Sequence, residues 1–158
     1  MIRAIFLDVD GTLISFSTHE IPASALRALA QAHERGVRLF IATGRAANDL
    51  GPLEGIPYDG VVSLNGARCV ANDGRVVSLH PIPRADFERA LALSEEQDFA
   101  MGLELEEGVF VNRVTPDVER VAHMVAHPVP EQTDLRELFG RVECCQLCFY
   151  FDAETQRR

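Results

Sequence analysis

Two apolar runs, Ile2–Leu7 and Val37–Ala42, flank a stretch of helical periodicity, and this spacing constrains the fold more than anything else in the chain. The first run is rich in Ile, Leu and Phe and reads as a buried strand. Pro22 opens the intervening helix, which runs to about Arg35. Leu26, Leu29, Ala30 and His33 fall at i, i+3, i+4 and i+7 and give that helix one buried face. Gly36 fits the position just past its end. Strand, helix and strand in this order form a βαβ unit, which is expected to be parallel and right-handed.

Both strands end in reactive groups. After Leu7 come Asp8-Val9-Asp10-Gly11-Thr12-Leu13, at the carboxyl end of a strand, where open parallel sheets bind their ligands. Alternate residues of an extended stretch point the same way, so Asp8 and Asp10 can face one spot. Two such carboxylates repel unless a cation lies between them or one takes up a proton. Oxygen ligands with no His or Cys beside them suit a hard ion such as Mg²⁺. Gly11 lets the chain turn sharply and approach an anion, and the Thr12 hydroxyl and the turn amides of Val9 and Gly11 add donors. The second strand ends in Thr43-Gly44-Arg45, with a helix expected from Ala46, which makes a second anion site beside Asp8. These features point to phosphoryl transfer.

The string Asp-Val-Asp-Gly-Thr-Leu after an apolar strand resembles the first motif of the haloacid dehalogenase (HAD) superfamily of phosphotransferases, and Thr43 resembles its second. The resemblance implies that Asp8 is the nucleophile that becomes an aspartyl phosphate. It makes Asp10 the general acid/base and Thr43 the holder of the phosphoryl group. It implies Mg²⁺ as cofactor, with Asp8 and Asp10 as ligands, and Val9, Gly11, Thr12, Thr43 and Gly44 around the phosphate. Arg45 is either a substrate contact or part of a structural ion pair, with the ion pair preferred.

Further along, Asp59-Gly60 leads into a third strand, Val61–Leu64, followed by Asn65-Gly66. Cys69–Ala71 and Val76–Ser78 flank Asn72-Asp73-Gly74-Arg75 as a hairpin. Pro81 and Pro83 mark a boundary, giving domains 1–82 and 83–158. Beyond it, Arg84–Gln97 reads as a helix burying Phe87, Ala90, Leu91 and Ser94. Met101–Leu105 reads as a half-exposed alternating strand, turned by Glu107-Gly108 into Val109–Val111. Helices are expected from Pro116 to about Ala126 and from Asp134 to Phe139, then a strand over Glu143–Phe151. The element order gives an α/β fold, and the resemblance makes it a Rossmann-like parallel-sheet core, in part, with an α+β cap, also in part. The order resembles the Cof-type branch of the superfamily, whose cap follows the third core strand. Asn65 then either faces substrate or serves as a turn residue.

The 158 residues carry a formal charge of −9, which argues against a nucleic-acid surface. No apolar stretch approaches the ~20 residues of a membrane helix. The N-terminus enters a strand directly, so a cytoplasmic protein without a signal peptide is expected. The cysteines Cys69, Cys144, Cys145 and Cys148 read as reduced and buried, since an offset of three puts Cys145 and Cys148 on opposite faces of a strand. His123 and His127 have a ligand spacing, but Pro128 ends the segment, and solvated helix-end histidines are expected.

All 15 basic residues are Arg. The superfamily resemblance calls for a further basic residue, usually Lys, and for more metal-binding acids near the C-terminus, and neither is found here. Asp152 would cap a helix whose positive end Glu154 favours, but only about one turn follows. The chain is expected to stop partway through its cap. Three readings follow. One is a phosphatase of small phosphorylated metabolites, weak or inactive as this isolated chain. Another is a non-catalytic phosphate- or partner-binding module, and the third a phosphomutase. An unfilled sheet edge would favour self-association.

Overall fold

A computed structural model describes residues 2–152 apart from Phe16, His19 and Ala126. The chain divides into two compact units, Met1–His80 and Pro81–Arg158. In the first, β1 (Ala4–Leu7), α1 (Ala23–Glu34) and β2 (Arg38–Ala42) form the βαβ unit, with Ala4 opposite Arg38 and Leu7 opposite Ile41 in a parallel pair. The strand β3 (Gly60–Ser63) adds in parallel to β2, and the hairpin β4 (Arg68–Ala71) and β5 (Val76–Leu79) completes a sheet of order β1-β2-β3-β4-β5.

Side-chain alternation decides what this sheet buries. Ile5, Leu7, Leu39, Ile41 and Val61 face a core closed by Leu29 of α1 and by Leu13, Ile14, Leu50, Leu53 and Ile56. Phe6 and Phe40 stack on each other with centroids 4.9 Å apart, and Phe6 remains 61% exposed. The first run is thus not a buried strand. Among the described residues β1 is an edge strand, with one face toward the core and one toward solvent. His33 is likewise outside the buried face of α1, where it reaches Asp59 at 3.7 Å.

No α-helix follows Ala46. The link from β2 to β3 is a series of turns with a 3-10 turn at Gly51–Leu53. Gly51, Pro52, Gly55 and Pro57 interrupt any helical run there. Leu50, Leu53 and Ile56 are nonetheless buried, because the link packs as a loop over the core.

The second unit contains α2 (Arg84–Glu96), β6 (Ala100–Leu105), β7 (Gly108–Val111), α3 (Pro116–Met124), β8 (Glu131–Gln132), α4 (Leu135–Phe139) and β9 (Gln146–Tyr150). Its sheet has the order β8-β7-β6-β9. Thr115 caps α3 by accepting from the Val118 amide, and Asp134 caps α4 by accepting from Arg136 and Glu137. The strand β6 is buried on both faces rather than half-exposed. Met101, Leu103 and Leu105 pack under Phe87 and Leu91 of α2 and Leu135 of α4. On the other face, Ala100 packs with Val111, Val118 and Tyr150. A central strand between two layers does not need the polar alternation of a surface strand.

All four cysteines are free thiols, Cys144 and Cys145 buried and Cys69 and Cys148 partly so. Only Cys148 of the Cys145/Cys148 pair lies within a strand. His123 and His127 are exposed. The C-terminal boundary expected for α3 at Ala126 and the helical turn expected past Asp152 lie outside the described residues. Among those residues no helix is long and apolar enough to cross a membrane.

Candidate functional site

The site is assembled at the carboxyl ends of β1 and β2, where two loops leave neighbouring strands. After Leu7 the chain folds back at once. The Val9 carbonyl accepts from the amides of Thr12, Leu13 and Ile14, and the Gly11 amide donates to the Ile14 carbonyl. Gly11 makes this turn with φ of 79°, a left-handed conformation that a residue with a Cβ adopts only with strain. The Val9 side chain is buried in the core, which pins the turn and leaves Asp8 and Asp10 exposed on either side of it.

The two acids meet different partners. Thr12 Oγ1 donates to Asp8 Oδ2 at 2.9 Å. Asp10 is gripped by Arg45, whose Nε donates to Oδ2 at 2.9 Å and whose Nη2 donates to Oδ1 at 2.8 Å. Arg45 Nη1 donates in turn to Asp49 Oδ2 at 3.2 Å. These contacts hold the Arg45 guanidinium above its ordinary pKa, the Asp10 hydrogen bonds outweighing the opposing effect of burial. Arg45 is therefore engaged in an ion pair, the alternative preferred from the sequence.

Thr43 is 6% exposed and serves its own loop: its hydroxyl accepts from the Arg45 amide at 3.1 Å. The Thr43 amide donates to the Val62 carbonyl, and the Thr43 carbonyl accepts from the Asn65 amide. With Leu7 opposite Ile41, Asp8 and Thr43 leave adjacent parallel strands at nearly the same level. Asn65 stands over Gly44, where an added Cβ would lie 3.2 Å from Asn65 Oδ1. Leu64 and Asn65 both have left-handed backbones, with φ of 49° and 54°. Two such residues in succession store strain, which the hydrogen bonds to Thr43 and Arg45 sustain.

Asp49 did not figure among the expected site residues. Its signal is present in the sequence as an acid four positions after Arg45. In the loop that stands where a helix was expected, that acid tethers the guanidinium that holds Asp10. The Thr12 hydroxyl, expected as a phosphate donor, is turned toward Asp8 instead.

Oxygen donors without nitrogen or sulfur match Mg²⁺ chemistry. Among the described residues, however, no three His, Cys, Asp or Glu side chains come together as a metal cluster. Both Asp10 oxygens also face Arg45. Asp8, which Arg45 does not hold, is the carboxylate that would meet such an ion.

The chain is similar to known proteins over nearly all of its length. Residues 5–157 match the family model of haloacid dehalogenase-like hydrolases. The solved structure of BT1666 from Bacteroides thetaiotaomicron, studied among phosphatases of that superfamily, is 54% identical with a TM-score of 0.92 over 99% of this chain. The subclass IIB sugar phosphatase BT4131 is 28% identical, with a TM-score of 0.83 over 98% of this chain. YkrA of Bacillus subtilis strain 168 is 30% identical over 95 residues, which is 60% of this chain and 36% of YkrA. The chain spans only 59% of BT1666 and 61% of BT4131.

Proposed function

The chain belongs to the haloacid dehalogenase-like hydrolase family, and on that premise we propose that it is of the Cof-type subclass IIB and is a phosphoric monoester hydrolase acting on small phosphorylated metabolites. The observation that carries this reading is the unequal treatment of two carboxylates on one turn. Asp8 receives a single hydroxyl, and Asp10 receives a full guanidinium fork.

In the proposed reaction an Asp8 oxygen attacks phosphorus and forms an aspartyl phosphate, while the departing alkoxide takes a proton from Asp10, which must enter the step protonated from solvent against the opposing charge of Arg45. Asp10, now a carboxylate, then removes a proton from water. The resulting hydroxide attacks the phosphoryl group, which releases phosphate and restores Asp8. Thr43, the amides of Val9 and Gly44, and the turn formed by Gly11 and Thr12 are the groups proposed to cradle the phosphate, with Asn65 at its border. Mg²⁺ held against Asp8 would shield the charge of the phosphoryl oxygens.

The isolated chain is proposed to be weak or inactive. The guanidinium beside the acids is already engaged with Asp10 and Asp49, and among the described residues no three His, Cys, Asp or Glu side chains gather to hold a metal. Losing one preorganised electrostatic donor costs about 3–4 kcal/mol in well-studied acyl-transfer sites, or roughly 10²–10³ in rate. The same shortage supports the second reading, a non-catalytic phosphate-binding module. The exposed outer side of β1, with Ile2 and Phe6 at the surface, supports the expectation of self-association.

Phosphate release from a generic aryl phosphate with Mg²⁺, measured beside an Asp8→Asn variant, tests the proposal. The expected outcome is slow release that the variant abolishes. Fast turnover abolished by the variant refutes the weak-chain reading, and turnover indifferent to it removes Asp8 as nucleophile.

A further inference from the structure

Asp8 and Asp10 are the same chemical group two residues apart, so something outside them must decide which attacks and which carries protons. We propose that Arg45 is the positioning residue that makes this distinction, by fixing the plane of the Asp10 carboxylate. Its catalytic meaning rests on the phosphatase reading, but its geometry does not.

Arg45 presents the Nε/Nη2 edge of its guanidinium to Asp10, with two bonds of 2.9 and 2.8 Å to different oxygens. A fork of this kind sets both the position and the rotation of a carboxylate, which a point charge cannot do. The fork is itself anchored. Nη1 is tied to the carboxylate and the carbonyl of Asp49, at 3.2 and 3.4 Å. The Arg45 amide donates to Thr43 Oγ1, and its carbonyl accepts from the Leu64 amide. The strained pair Leu64 and Asn65 closes the back of this loop, with the Asn65 amide on the Thr43 carbonyl. Such strain persists only where the surroundings over-determine it, and here it is placed where it holds the Arg45 backbone.

The Asp10 carboxylate meets the fork with both of its oxygens. It is poorly placed to attack phosphorus, because both oxygens are turned toward a cation. Asp8 has one hydroxyl donor and no fork. The division of labour between the acids thus comes from β2's loop rather than from the strand that carries them.

The test reads side-chain order in the full chain. The three-bond Hα–Hβ couplings of Asp8 and Asp10 are measured by NMR in the wild type, Arg45→Gln and Arg45→Lys. Asp10 is expected to hold one χ1 rotamer in the wild type, to average among rotamers in Arg45→Gln, and to recover partly in Arg45→Lys. The Asp8 couplings should stay the same throughout. A single Asp10 rotamer in Arg45→Gln overturns the proposal, as does equal averaging of Asp8 and Asp10, which would mark general loosening. If Arg45→Gln does not fold, Arg45→Lys decides alone: it keeps the charge without the fork, and an unchanged Asp10 rotamer there is equally fatal. None of these readings requires turnover, so a failed phosphatase assay and a failed clamp are separate results.

Discussion

Replacing Thr43 by Val removes one buried oxygen from the site and keeps nearly the same side-chain shape. The hydroxyl accepts from the Arg45 amide at 3.1 Å, and Thr43 is 6% exposed, so the lost acceptor is not freely replaced by water. Leaving a buried donor unsatisfied costs about 1–3 kcal/mol. Arg45 is only half-buried, which places the cost in the lower half of that range, and the added methyl returns up to ~0.8 kcal/mol by burial. The net expectation is a loss of about 1 kcal/mol in the first unit. With a slope near 1 kcal/mol/M for so small a unit, the urea midpoint should fall by about 1 M. Urea unfolding followed on β2 amide resonances measures the shift, and hydrogen exchange at the Arg45 amide locates it. That amide should lose protection in Thr43→Val and keep it in Thr43→Ser, which retains the oxygen. An unchanged midpoint together with unchanged exchange in Thr43→Val would refute the reasoning.

Two further perturbations probe the packing of each unit. A Cβ at Gly60 would lie 2.8 Å from the Val70 carbonyl oxygen, so Gly60→Ala should destabilise the β3–β4 pair by about 1–3 kcal/mol in the same urea assay; wild-type stability would show that the strands separate freely. In the second unit, burial pushes the Cys148 thiol up to about 12 and Cys144 up to about 11, and also raises Tyr150. Raised values mean that the folded state keeps its protons while the unfolded chain loses them. Stability is therefore full below about pH 9 and is lost as pH climbs toward 11–12, and thermal unfolding across that window should record the decline. At pH 8 a thiol reagent should modify Cys144 and Cys148 only after urea is added, and rapid labelling of either of these two in the folded chain would contradict the burial.

Local pattern carried most of the architecture. The βαβ unit, the hairpin around Asn72–Arg75, and the helix starts near Pro116 and Asp134 depend on nearest neighbours and on hydrophobic period, which a linear reading captures. The segment after Thr43 misled, because Ala46, Leu50 and Leu53 supply helix-like apolar spacing while Gly51 and Pro52 break the helix they suggest. The strands β1 and β6 misled in opposite directions. Composition does not say how many layers will cover a strand, and the apolar β1 is covered on one face whereas the mixed β6 is covered on both.

The candidate site divides along the same line. Asp8, Asp10 and Thr43 were legible because each sits at a strand end, and strand ends are written in local residue order. The lack of lysine was legible for the same reason, as a property of composition. That Arg45 grips Asp10 from 35 positions away, that Asp49 tethers Arg45, and that Thr12 turns to Asp8 were decided only in three dimensions. Those contacts depend on the parallel register of β1 and β2 and on the course of two loops. Register brings side chains together across sequence separations that no local pattern encodes.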